Sequence, residues 1–299
     1  MARARANGIE IEWDARGPAD GAPMLLIMGL GGQLTRWSDE LMDALAARGF
    51  RAIRYDNRDV GLSTKFDAAG LPDLARIGLQ MMTGGKPDVA YTLEDMAADA
   101  VGLLDALGID RAHVVGASMG GMIAQLVAAR HPNRTRSLTS IMSTTGNPAL
   151  PRASAEANAV LTSRPAAADM EALVAFGIRA ARVVGSPDYP ADEVALAARV
   201  RADLQRQYYP QGFVRQLAAI VADGDRRERL KAVRAPTLVI HGAADPLVPV
   251  EGGRDTAASI RGARLVEIAG MGHDLPEALV PRFVQLIADH ARAADRTAS

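Results

Sequence analysis

The chain has 299 residues, with 34 Lys and Arg against 35 Asp and Glu and a net charge of −1, and 48% of its residues are hydrophobic. That suffices for one large core, or a core with a smaller second domain. A near-zero balance without a basic stripe interleaved with aromatics argues against a nucleic-acid partner. Cysteine is absent, which excludes disulfides, thiolate metal sites and a cysteine nucleophile. No apolar run has the length of a membrane span, and the opening MARARANGIEIEW puts no apolar stretch behind its arginines, unlike a secretory signal. These features fit cytoplasmic residence without a membrane partner.

Strand-like and helix-like segments alternate along the chain. Residues 8–13 alternate in period two, and 23–28 (PMLLIM) form a continuous apolar run suited to a strand covered on both faces. Helical spacing over 37–47 stops at Gly49, and a strand follows over 51–55. Residues 65–90 interrupt the pattern with an amphipathic piece, LPDLARIGLQMM, bounded by Gly84 and Gly85. Thr92-Leu-Glu-Asp95 has capping-box spacing and opens a helix that Gly108 ends. A buried strand over 112–115, a helix over 119–130 and a strand over 137–142 come next.

Residues 147–231 offer no convincing strand but several helical stretches, around 153–161, 168–183, 191–207 and 212–222. Strands over 237–241 and 264–268 resume the alternation with a helix between them, and a last helix runs from Glu277 to about Asp289. Repeated βα units predict an α/β fold, a mostly parallel sheet with helices on both faces. Residues 1–146 and 232–299 form its expected core. The insertion at 147–231 reads as a helical cap over the C-terminal edge of the strands, where ligands bind in such sheets.

The segment HVVGASMGGMIAQ carries the first chemical signal. Gly116-x-Ser118-x-Gly120 falls between a predicted strand and a predicted helix. Glycines on both sides remove the Cβ atoms that would collide in a sharp strand-to-helix turn, which lifts the Ser118 hydroxyl out of the sheet at a helix N-terminus. The bland alternative is a plain glycine turn, and the strand–helix context favours a nucleophile.

A serine hydroxyl needs a base, and the base needs an orienting acid. Of five histidines, His113 lies five residues before Ser118 on one strand, roughly 16 Å away at strand rise. His131 and His290 fall at expected helix C-termini, where a cation complements the dipole. His241 ends a strand on the correct edge and stays a candidate. His273, in the glycine-rich loop AGMGHDLP after the last strand, ranks ahead of it. For the acid, Asp245 in the loop after strand 237–241 ranks ahead of Asp274, whose side chain, being adjacent to His273, projects in a different direction.

Two backbone donors for an oxyanion are expected, the Met119 N–H at the helix start and the Leu30 N–H in Met28-Gly-Leu-Gly-Gly32, where glycines such as Gly29 permit close approach of a ligand. No histidine or carboxylate cluster has metal-ligand spacing, so no metal is expected.

These motifs together, MGLGG, YDNRDVGLS, GASMGG, HGAADPLVP and GMGHDLP, resemble the α/β-hydrolase fold superfamily across nearly the whole chain. The resemblance extends to capped serine esterases such as small bacterial carboxylesterases and the aclacinomycin methylesterase-like group. It implies hydrolysis of small to medium carboxylic esters through an acyl-enzyme on Ser118, with Asp245 and His273 completing the triad and no cofactor. Met28 stands where many relatives carry histidine, which leaves the backbone donor intact. A serine nucleophile, not an aspartate, speaks against dehalogenase or epoxide-hydrolase chemistry. Phe213 of the cap and Met271 are expected beside Met119 in an apolar pocket. The expected partner is a small-molecule ester, with a homodimer left open. Lactone hydrolysis, carbon–carbon bond hydrolysis and perhydrolysis would use the same triad, and a hydrolase-like ligand receptor is the reading from another class.

Overall fold

A computed structural model describes residues 1–163, 165, 167 and 169–298. Among them, eight strands form one sheet in the order β1-β2-β4-β3-β5-β6-β7-β8. The strands are β1 (Ala2–Ala6), β2 (Ile9–Arg16), β3 (Ala22–Ile27), β4 (Phe50–Tyr55), β5 (Ala112–Ala117), β6 (Thr135–Ile141), β7 (Thr237–Gly242) and β8 (Arg264–Ile268). The pairs β1·β2 and β2·β4 are antiparallel, and all others are parallel.

The helices are α1 (Asp39–Ala47), α2 (Leu74–Met82), α3 (Leu93–Ala106), α4 (Met119–Arg130), α5 (Ala155–Thr162), α6 (Met170–Val184), α7 (Glu193–Arg206), α8 (Pro210–Asp223), α9 (Arg227–Leu230), α10 (Glu251–Ser259) and α11 (Val280–Ala298). Between β6 and β7 the described residues hold α5 to α9 and no strand. Ala168, where one helix is expected to begin, lies outside the described residues.

The period-two geometry of a strand divides the sheet's side chains between two cores. Leu25, Ile27 and Val114 point into a cluster with Leu93, Met96, Ile123 and Leu126 of α3 and α4. Their neighbours Met24, Leu26 and Val115 point into the other, with Leu41 and Leu45 of α1 and Phe283 and Ile287 of α11. Helix α4 is buried at every position from Met119 to Ala129, as expected of a helix apolar all round. Burying a Leu or Ile side chain fully contributes about 1.5–3 kcal/mol, so both faces of the sheet hold it in place.

The N-terminal strand β1 has no counterpart in the sequence reading. Its ARARA alternation is regular, but only alanines face inward, too small for a strong hydrophobic signal. They suffice because Gly102 of α3 lies against them: a Cβ there would stand 3.2 Å from that of Ala6.

The final helix also departs from expectation. It runs past Asp289 to Ala298 because HARAADRTA contains good helix formers and neither glycine nor proline. His290 is therefore not at a helix end. Its Nε2 faces the Leu138 and Pro236 carbonyls at 3.1 and 3.2 Å. Helix α1 starts two residues later than expected, where Ser38 accepts a hydrogen bond from the Leu41 N–H and caps it.

Strand β3 has β4 on one side and β5 on the other. The chain order thus reverses between β3 and β5, and a crevice opens beyond their C-terminal ends at such a switch point. Ile27 pairs with Gly116 at that edge, which brings the loops after β3 and β5 side by side.

Candidate active site

Ser118 leaves β5 and caps α4 with φ 57° and ψ −122°, a conformation L residues rarely adopt and that costs on the order of 1–3 kcal/mol. The surroundings over-determine it. The Ser118 N–H donates to the Ile141 carbonyl at 2.9 Å, and the Ser118 carbonyl accepts from the Gly121 and Met122 amides at 2.9 and 3.2 Å and from Ser143 Oγ at 2.8 Å. The flanking glycines are required sterically. A Cβ on Gly116 would stand 2.0 Å from the Gly120 carbonyl oxygen, and one on Gly120 would stand 2.0 Å from that of Ile27.

The structure brings His273 and Asp245 to this serine. His273 Nε2 lies 2.9 Å from Ser118 Oγ, and its Nδ1 lies 2.7 Å from Asp245 Oδ2. The other carboxylate oxygen of Asp245 accepts from the Leu247 and Val248 amides at 2.9 and 2.8 Å, so the acid is held from both ends. With Nδ1–H donated to a carboxylate, the imidazole presents an unprotonated Nε2 to the hydroxyl. That arrangement can accept the serine proton as the oxygen attacks an electrophile.

The competing residues are placed elsewhere. His241 has no exposed surface, and its Nε2 donates to the Val248 carbonyl at 2.8 Å. It lies 3.6 Å from Asp245 Oδ2, behind the acid, and burial lowers its pKa. Asp274 accepts from Ser186 Oγ, and burial raises its pKa. His113 faces Ser137 Oγ at 2.9 Å and Asp295 at 3.3 Å. His131 closes α4.

The loop after β3 lies against the serine. A Cβ on Gly29 would stand 3.0 Å from the Ser118 Cβ and 3.5 Å from its Oγ, so glycine is what lets the backbone approach the hydroxyl. The Gly32 amide donates to the Gly29 carbonyl at 3.1 Å. This closes a turn whose third residue, Gly31, has φ 65°, while Leu30 keeps a negative φ; that is the type II form. Within the Gly29–Leu30 peptide, a carbonyl directed to Gly32 sends the Leu30 N–H the opposite way. Met119 opens α4, where the first amides have no partner within the helix, and a partial positive charge gathers there.

Phe213 packs its ring 2.7 Å from the place a Gly31 Cβ would occupy. Met119 and Met271 are fully buried, one in each core cluster.

Several positioning groups escaped the sequence reading. Asn57 donates to the Met28 carbonyl at 2.8 Å, and Asp56 accepts from the Leu34 and Leu62 amides at 2.8 Å each. Both lie in the YDNRDVGLS loop, whose motif was visible but whose partners were not. The histidine loop is pinned from the end of α6 and the residues just after it. The His273 amide donates to the Val184 carbonyl at 2.7 Å, and that of Gly272 to Ser186 Oγ at 2.8 Å.

Comparison with known proteins places this geometry in context. A family model described as alpha/beta hydrolase fold matches residues 22–277. The chain is 31% identical to rhodomycin D methylesterase DauP of Streptomyces sp. (strain C5) and 32% identical to rhodomycin D methylesterase DnrP of Streptomyces peucetius, each over 93% of both chains. Among solved structures, it superposes on a meta-cleavage product hydrolase from Pseudomonas fluorescens IP01 with a TM-score of 0.76, at 21% identity and 98% coverage of both chains. The enol-lactonase of Burkholderia xenovorans LB400 gives 0.72 at 24% identity, covering 97% of this chain and 99% of the other. By the family match across most of its length, the chain belongs to the alpha/beta hydrolase fold family.

Proposed function

We propose that this protein is a serine carboxylic-ester hydrolase. The observation that carries the reading is the continuous Ser118–His273–Asp245 hydrogen-bonded chain, at 2.9 and 2.7 Å. His273 takes the Ser118 proton as Oγ attacks the ester carbonyl. The Leu30 and Met119 amides hold the oxyanion. Collapse of the tetrahedral intermediate breaks the bond to the alkoxy oxygen, and the proton on His273 passes to the departing alcohol. Water, deprotonated by His273, then attacks the acyl carbonyl; collapse breaks the bond to Ser118 Oγ, which takes the proton back from His273 as the acid leaves. Asp245 fixes the imidazole tautomer and stabilises the imidazolium without itself taking the proton.

Residues 147–231 act in this reading as a cap over the site, with residues 1–146 and 232–299 as the hydrolase core. Phe213 and Gly29 face the acyl group, and Met271 backs the histidine loop. The two methylesterase relatives make a carboxylic methyl ester the first class to test. Turnover of methyl esters beside p-nitrophenyl esters of graded acyl length and simple lactones tests the assignment. Release of acid and alcohol from esters is expected. Opening of lactones with no turnover of any ester would transfer the function to the lactonase reading.

A further inference from the structure

Helix α8 reaches the loop that carries Leu30, one of the two proposed oxyanion donors. Gln216 has no exposed surface. Its Oε1 accepts from the Gly31 N–H at 2.8 Å, and its Nε2 donates to the Arg58 carbonyl at 2.8 Å. These partners fix which way the amide points, since the reverse orientation would oppose donor to donor and acceptor to acceptor.

The same helix face is anchored on either side of Gln216. Arg215 pairs with Asp59 through two nitrogens at 2.7 and 3.0 Å. Gly212 lies so close to the Asp59 carbonyl that a Cβ would stand 1.9 Å from it, and Phe213 covers Gly31. Positions 212, 213, 215 and 216 share one face at helical spacing. The end of helix α7 grips Gln33 of the same loop, whose Nε2 donates to the carbonyls of Asp203 and of Gln207 just past the helix, at 2.6 and 3.1 Å.

The Gly31 N–H belongs to the central peptide of the 29–32 turn. Type I and type II turns differ by a flip of that peptide. An acceptor on the Gly31 N–H therefore holds the type II form and tethers the backbone directly after Leu30. Loss of this part-buried hydrogen bond would cost about 0.5–1.5 kcal/mol, enough to loosen that tether.

We infer that Gln216 is a positioning residue for the oxyanion hole, holding the Leu30 N–H in line with the carbonyl that Ser118 attacks. The inference rests on the ester-hydrolase reading above. It makes part of the inserted helical segment a component of transition-state stabilisation, beyond any covering role.

Matched ester and thionoester substrates give the test, because sulfur in place of the carbonyl oxygen uses an oxyanion hole poorly. In Gln216→Met the ester kcat is expected to fall about tenfold or more, less than for outright loss of a donor. KM should stay within about threefold, and the ester-to-thionoester ratio of kcat/KM should fall by about the same factor as kcat. Gln216→Asn, too short to reach both partners, carries the same expectation if Gln216→Met does not fold.

An unchanged ratio in Gln216→Met or Gln216→Asn overturns the positioning role, as does an equal loss with ester and thionoester, which marks a purely structural residue. Fluorophosphonate labelling of the parent protein separates the two levels. Unlabelled Ser118 overturns the acyl-enzyme reading itself, whereas labelled Ser118 with an unchanged ratio overturns only the part given to Gln216.

Discussion

At the scale of single residues, the difference between His273 and His241 is one of access. Both lie within reach of Asp245 Oδ2, at 2.7 and 3.6 Å. Only His273 also meets Ser118, while the Nε2 of His241 is committed to the Val248 carbonyl. His273→Ala should lower kcat by a factor on the order of 10⁴. His241→Asn should retain most of the activity, since the residue supplies no proton to the reaction. Steady-state kinetics of the two variants check the assignment, and a dead His241→Asn beside an active His273→Ala would reverse it. The sequence separated these histidines by their loops alone: glycines around His273 allow it to cross the sheet edge, and a strand end holds His241 back. Gln216 was not legible in this way, because a glutamine in an apolar helix carries no sign of the loop it will meet some 185 residues earlier in the chain.

At the scale of elements, the strand-to-helix turn at Ser118 and the capping box at Thr92 were readable because their chemistry is local. The Thr92 side chain accepts from the Asp95 amide, and the Asp95 carboxylate accepts from that of Thr92. Strand β1 and the length of α11 were not: one depends on alanines meeting Gly102 across the fold, and the other runs on through HARAADRTA, whose buried residues are again alanines, too small for a strong apolar signal. The helices between β6 and β7 were visible as helices, but their seating is tertiary. Through Phe213, that seating has a measurable consequence. In an apolar acyl pocket each methylene that fits adds up to about 0.8 kcal/mol of binding. A plot of kcat/KM against acyl length should therefore rise and then fall. Phe213→Ala should move the maximum towards longer chains. The position of the maximum is the quantity to follow, because Phe213 also covers Gly31 and its loss is expected to lower the whole curve. A flat profile in the parent protein would mean that these helices do not bound the acyl site.

At the scale of the whole molecule, burial disfavours the charged form of several histidines. Burial lowers the pKa of His113 to about 4, against the opposing pull of Asp295. His290 and His241 are lowered for the same first reason. A folded-state pKa below the unfolded value near 6.5 means that the unfolded chain binds more protons between the two. The stability His113 contributes is therefore complete above pH 6.5 and is lost as pH falls towards 4, and His290 and His241 act in the same direction. The slope is at most about 1.4 kcal/mol per pH unit for each histidine. Denaturant titrations at pH 7.5, 6, 5 and 4.5 should show declining stability, and His113→Asn should show a shallower decline than the parent. Equal slopes in the two proteins would remove His113 from this account.

The covalent step proposed on Ser118 links all three scales, because in this reading it needs the strained turn, the imidazole across the sheet edge and the amides of two loops at once. Acid quenching during turnover of a slowly deacylating ester, followed by peptide mass spectrometry, observes that step directly. The acyl mass is expected on the peptide bearing Ser118 and nowhere else, and it should vanish in Ser118→Ala together with hydrolysis. Acyl mass on another residue, or undiminished hydrolysis by Ser118→Ala, would contradict the mechanism.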